Sequence, residues 1–213
     1  MIRRPEIQKI VNGYDDFRVA VLGSHSALEI MDGAKDEGLE TIVFCQKGRE
    51  TPYQRFDRIA DEIKIVKKFS EMSSTINQKM LRDTNTIIVP HRSLTAYLGY
   101  NVIENSLKVP IFGNRRLFQA EERNNKKNQY YLLKKARIKY PKIFKNPKDI
   151  NRPSIVKVQE KKRKLERAFF TVSSFSDYKK KSEDKIKKTN VRKNIPKREY
   201  LLFIQGATLL IKL

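Results

Sequence analysis

The stretch Arg18-Val19-Ala20-Val21-Leu22-Gly23-Ser24-His25-Ser26-Ala27-Leu28-Glu29-Ile30 decides how this chain is read. An apolar run stops at a Gly-Ser-His-Ser turn, and apolar residues then return at helical spacing. That order predicts a buried strand, a tight loop and a first helix. Such a loop presents backbone N–H groups and small hydroxyls at a helix N-terminus, where unpaired donors and peptide dipoles favour an anion such as phosphate. A nucleotide or sugar-phosphate site is one reading, and an ordinary strand-to-helix turn is the other. The glycine spacing matches no dinucleotide fingerprint.

Outward from that stretch the first half keeps alternating. A helix over Ala27 to Glu37 closes at Gly38, and the strand Thr41-Ile42-Val43-Phe44-Cys45 completes a βαβ unit. The pattern next predicts a strand over Glu62 to Val66, a helix over Ser74 to Arg82, and a strand over Thr86 to Val89 that ends at Pro90. A further helix over Tyr97 to Ser106 and a short strand over Val109 to Gly113 follow. Four or five strands in this order predict a doubly wound parallel layer with ligands at the carboxyl ends of its strands. The loops at those ends are Gly23-Ser24-His25-Ser26, Lys47-Gly48-Arg49-Glu50, Pro90-His91-Arg92-Ser93 and Gly113-Asn114-Arg115-Arg116. Both histidines of the chain, His25 and His91, fall in them.

Composition narrows the class. With 213 residues, 39% of them hydrophobic, the chain buries a core in one large domain or two small ones. The single cysteine, Cys45, excludes an internal disulfide and a multi-cysteine zinc cluster, and its place in an apolar strand marks it as buried. The N-terminus lacks the apolar core of a signal peptide and no apolar run reaches membrane-spanning length, so a cytoplasmic protein without membrane contact is expected.

The net charge of +22 is uneven: residues 1 to 113 hold 16 Lys/Arg against 15 Asp/Glu, and residues 114 to 213 hold 30 against 9. A polyanionic partner is one account of the second half, and a solvated lysine-rich surface is the other. Leu117 to Arg137 reads as a charged helical connector. Beyond it, Ser154 to Val158 and Ala168 to Val172 predict two strands around the basic loop Lys161-Lys162-Arg163-Lys164, a hairpin able to cover nucleotide phosphates. Ser176 to Lys188 predicts a helix, and Tyr200 to Leu213 reads as an apolar strand-like run that ends as if truncated.

Taken together, Leu22-Gly23-Ser24-His25-Ser26-Ala27-Leu28, Lys47-Gly48-Arg49, Val89-Pro90-His91-Arg92-Ser93, Val109-Pro110-Ile111-Phe112-Gly113-Asn114-Arg115 and Ile155-Val156-Lys157 resemble the archaeal formaminoimidazole-carboxamide ribonucleotide synthetases. These are formate-dependent ligases of the ATP-grasp superfamily, which formylate the aminoimidazole-carboxamide ribonucleotide AICAR to FAICAR in purine biosynthesis. The resemblance covers nearly all of this chain but only the front part of a full-length member. It implies a Rossmann-like (pre-ATP-grasp) parallel-sheet α/β domain at 1–116 that binds AICAR, a connector at 117–137, and an incomplete, basic α+β ATP-grasp lobe at 138–213.

By the same resemblance His25 and Ser93 contact AICAR and Lys157 reaches an ATP phosphate. Ser24 and Ser26 are candidate substrate hydroxyls beside His25, and Arg49 and Arg115 are candidates for the substrate phosphate. The implied cofactors are ATP and Mg2+, with formate as second substrate; a homo-oligomer or a separate piece carrying the missing lobe would complete the enzyme. The chain departs from the family pattern at Arg92, where glycine is usual, and in Val158 to Lys164, which lacks the usual glycines. The magnesium carboxylates belong to the lobe this chain lacks, so the resemblance implies the ligase's substrate domain without its catalytic part. The competing reading is a basic nucleic-acid-binding or regulatory protein, in which Phe169, Phe170, Phe175 and Tyr178 accompany the lysines and binding is weak and unspecific.

Overall fold

A computed structural model describes residues 1–122, 125–157, 169–188 and 203–206. The chain divides into two units, Met1–Phe118 and Gln119–Leu213. The first unit opens with helix α1 (Arg4–Val11) and continues β1 (Arg18–Leu22), α2 (Ala27–Asp36), β2 (Thr41–Gln46), α3 (Thr51–Arg55) and β3 (Glu62–Val66). It closes with α4 (Thr75–Asp83), β4 (Thr86–Ile88), α5 (Arg92–Leu98) and α6 (Tyr100–Asn105). The four strands are parallel, in the order β3-β2-β1-β4. The chain winds from β1 to β3 in one direction and then returns past β1 to lay down β4. That reversal opens a crevice at the carboxyl ends of β1 and β4.

Successive strand residues point to opposite faces, and in a parallel sheet covered by helices both faces are apolar. Here Val19, Val21, Val43 and Cys45 pack with Ala27, Met31 and Ala34 of α2. Ala20, Leu22, Ile42, Phe44 and Ile88 pack with Leu81 of α4, Leu94 of α5 and Ile103 of α6. Burial pushes the Cys45 thiol pKa up, so the cysteine is a strand residue of the core.

Two local readings are corrected. The helix expected over Tyr97 to Ser106 is two helices, because Gly99 takes φ 77°, a conformation that breaks the helical path and that glycine adopts freely. The strand expected over Val109 to Gly113 shrinks to one bridge, Ile88 to Ile111. Pro110 can accept the Ile88 N–H but has none to donate, and Gly113 turns away at φ 88°.

One polar knot ties β2 to the segment before β3. The Asp61 carboxylate accepts from Lys35 Nζ at 2.9 Å and from the Thr41 N–H at 2.8 Å, while the Thr41 hydroxyl donates to the Ile59 carbonyl at 2.7 Å. Partial burial raises the Asp61 pKa, but the bonds from Lys35 and Thr41 outweigh it and hold the carboxyl below its ordinary 3.8. A depressed folded pKa means the carboxylate's contribution is complete above the unfolded value and is lost as pH falls through the folded one. Urea midpoints taken from pH 6 down to 3 should therefore fall less steeply in Asp61→Asn than in the parent chain; equal slopes would remove Asp61 from the acid response.

The second unit is antiparallel. Helix α7 (Gln129–Lys135) is capped by Asn128, whose Oδ1 accepts from the Tyr130 and Tyr131 N–H groups. The strands β5 (Ile143–Phe144), β6 (Ser154–Lys157) and β7 (Phe169–Val172), helix α8 (Phe175–Lys188) and strand β8 (Phe203–Gly206) follow. The sheet order is β5-β8-β6-β7. Phe144, Ile150, Val156 and Val172 form its core, with Phe170 and Tyr178 packed against them. These two aromatic rings serve the core. The basic loop between β6 and β7, and the run at Tyr200 to Leu213 apart from the β8 backbone, lie outside the described residues. No helix among the described residues is long and apolar enough to cross a membrane.

Candidate functional site

The carboxyl ends of β1 and β4 bring both histidines together. His25 follows β1 and is exposed, His91 follows β4 and is half-buried, and their rings meet edge to face at 5.9 Å between centroids. His91 is held from both sides: its Nε2 lies 2.9 Å from the Leu22 carbonyl, and its Nδ1 accepts the Ser93 N–H at 3.4 Å. A carbonyl only accepts and an amide N–H only donates, so Nε2 carries the proton and the ring is neutral. Burial lowers the His91 pKa below 6.5, the Leu22 carbonyl works in the opposite direction, and the neighbouring His25 lowers it further.

This arrangement explains the local sequence. His91 caps α5, a role short side chains usually fill, and at the same time joins the end of β1 to the start of that helix. Ser93 sits in the first turn, 5% exposed. On the β1 side, a Cβ at Gly23 would stand 3.0 Å from the Tyr53 ring and 3.2 Å from the Phe44 carbonyl. A side chain there would have to push Tyr53 or the Phe44 carbonyl aside by a few tenths of an ångström, so glycine fits where α3 brings Tyr53 down on the loop. Burial pushes the Tyr53 pKa up to about 12, so the hydroxyl is a neutral group at neutral pH.

The remaining candidates separate. Ser24 and Ser26 flank His25, and Ser24 Oγ lies 3.3 Å from His25 Nδ1. Arg49 is exposed in the loop after β2. Glu50 opens α3 and its Oε2 is buried with no hydrogen-bond partner, an acceptor that sequence reading passes over. Arg115 is turned into the protein, where Nη1 donates to the Ile103 and Leu107 carbonyls and Nη2 to the Val109 carbonyl. Lys157 ends β6 in register with Phe169 and Phe203, in the second unit. Among the described residues no three His, Cys, Asp or Glu side chains are grouped to hold a metal ion.

A parallel α/β layer with imidazoles, hydroxyls and a helix start at its switch point has the architecture of the α/β units that take ligands at such crevices. Residues 19–144 match the family described as "Protein of unknown function (DUF1246)", and the chain belongs to that family. It is 48% identical over 159 residues, 74% of this chain and 44% of the relative, to the 5-formaminoimidazole-4-carboxamide-1-(beta)-D-ribofuranosyl 5'-monophosphate synthetase of Methanopyrus kandleri. Among solved structures it is similar to the IMP biosynthesis protein PurP from Thermococcus kodakaraensis, at 26% identity and TM-score 0.52, covering 72% of this chain and 48% of that one. The fold is also like that of an N5-carboxyaminoimidazole synthase from Aspergillus clavatus, solved with ADP and 5-aminoimidazole ribonucleotide, at 16% identity and TM-score 0.54 over 91% of this chain and 47% of that one. The chain spans about half the length of the curated relatives it matches.

Proposed function

We propose that this chain is the substrate-binding front portion of a formate-dependent AICAR ligase, with a pre-ATP-grasp, Rossmann-like first unit. The observation that carries the reading is the family match over residues 19–144. That span includes His25, His91, Ser93 and the loop after β2, and it belongs to a chain whose relatives bear the synthetase name.

In this reading the His25 ring and the Ser24 and Ser26 hydroxyls hydrogen-bond the bound nucleotide, since imidazole and hydroxyl both donate and accept. Ser93 contributes from the α5 start, and Arg49 approaches the phosphate. The buried Glu50 oxygen is suited to an N–H donor of the ligand, because a buried acceptor without a partner is unfavourable. Lys157 is assigned to an ATP phosphate, where an ammonium acts as a point charge. ATP, when bound, supplies the phosphoryl group that activates formate.

Calorimetry of AICAR against the full chain tests the reading. His25→Ala should weaken binding about tenfold, the effect of one lost hydrogen bond of about 1.4 kcal/mol. Equal affinity in both proteins would take His25 out of the site, and no binding by the parent chain would sink the proposal.

A further inference from the structure

A cleft of about 450 Å3 lies at the β4 edge of the first unit, between the start of α1 and the loop after Ile111. We propose that this cleft is an anion site for a phosphorylated compound with an apolar body, of nucleotide size, held by Arg4 and Arg116 over the half-buried Arg115.

The charge distribution points there. Arg3, Arg4, Arg115 and Arg116 all line the cleft, and among the described residues no carboxylate does. Four guanidinium groups around one concavity repel each other, and an anion placed among them relieves that repulsion. Among the described residues Arg3 is the one of the four with a carboxylate partner, Glu6 at 3.0 Å. Arg4 and Arg116 are exposed and pair with no acidic side chain among the described residues.

Arg115 supplies an independent observation. Its guanidinium is drawn into the protein by three carbonyls, and desolvation lowers its pKa. A cation taken out of water is unfavourable until an opposite charge meets it. Carbonyl dipoles occupy three of the five N–H groups of a guanidinium and leave others for a ligand. The planar fork of arginine suits a phosphate better than a lysine would.

The walls decide what kind of anion fits. Ile7 and Ile111 make part of the lining apolar, and the volume lies within the roughly 300–1,000 Å3 of small-molecule sites. Apolar lining and guanidinium groups together favour a phosphorylated molecule with an apolar part over a bare inorganic ion.

The test is titration of the full chain carrying Lys157→Ala, which removes the lysine assigned to an ATP phosphate, with inorganic pyrophosphate and with ADP. Both should bind saturably, ADP more tightly, and the double variant Arg4→Ala/Arg116→Ala should weaken both by at least tenfold. Both arginines are exposed, so the fold is kept. His25→Ala should leave pyrophosphate affinity unchanged, which separates this site from the AICAR reading. Double-variant binding within twofold of the parent would overturn the proposal and move the anions to the lysines of the second unit. Tighter binding of a glutamate decapeptide than of ADP at the same two arginines would overturn it in favour of a protein partner.

Discussion

Replacing Arg115 by alanine lowers the stability of the first unit by at least about 3 kcal/mol, since a hydrogen bond from a charged group contributes about 1.5–3 kcal/mol, this side chain makes three, and water replaces them only in part. The carbonyls concerned belong to Ile103, Leu107 and Val109, each fully buried. They stand at the end of α6 and in the segment leading to the Ile111 bridge, so one guanidinium fastens the last helix to the sheet edge. Arg115→Lys recovers only part of the loss, because a single ammonium on a different stem cannot meet three carbonyls in a fork. Native-state hydrogen exchange of the β1 and β2 amides reads the effect in the unit concerned. A loss under about 1 kcal/mol in Arg115→Ala would show that water replaces the guanidinium at these carbonyls.

The parallel layer is legible in the sequence because its two central strands, β1 and β2, are buried on both faces. Val19 to Leu22 and Ile42 to Cys45 are unbroken apolar runs, and each lies within a strand of the fold. Helix α1 is not legible in the same way: it has only eight residues, and its apolar face of Ile7, Ile10 and Val11 is half-buried with no residue fully buried, a signal too short to stand out from a loop. The segment Val109 to Gly113 misleads for a different reason. Val109 and Pro110 are buried and Ile111 is half-buried, but Phe112 is 70% exposed and the proline removes a ladder donor, neither of which hydrophobicity alone shows.

At the rim, the positions of His25 and His91 follow from strand order, while the work His91 does for the fold cannot be read from its neighbours in sequence. Its partner Leu22 lies 69 residues away. Arg115 carries the same lesson. An arginine after a strand suggests a phosphate contact, yet its acceptors are carbonyls that only the tertiary fold assembles. Net charge was ambiguous for the second unit, and packing helps: Phe170 and Tyr178, which could have stacked on bases, cover the core instead.

His91→Ala should weaken AICAR binding at least tenfold, and a change in pH distinguishes its positioning role from simple loss of contact. The ring fixes the end of β1 and the start of α5 together, so removing it frees both loops that carry His25 and Ser93. Lost stability should be about 1.5–2 kcal/mol, one buried hydrogen bond and one helix cap. His91→Asn restores an acceptor for the Ser93 N–H and should recover the cap more fully than the affinity. The folded pKa is depressed below 6.5, so below 6.5 the unfolded chain takes up a proton that the folded ring refuses. Stability that is complete above 6.5 is then lost as pH falls toward the folded value. Protonation at Nδ1 also ends its acceptance of the Ser93 N–H, so affinity in the parent chain should fall over the lower part of the same range. Both slopes should flatten in His91→Asn. A parent and variant with superimposable pH profiles for stability and for AICAR affinity would mean that His91 is not the neutral bridge between the two loops.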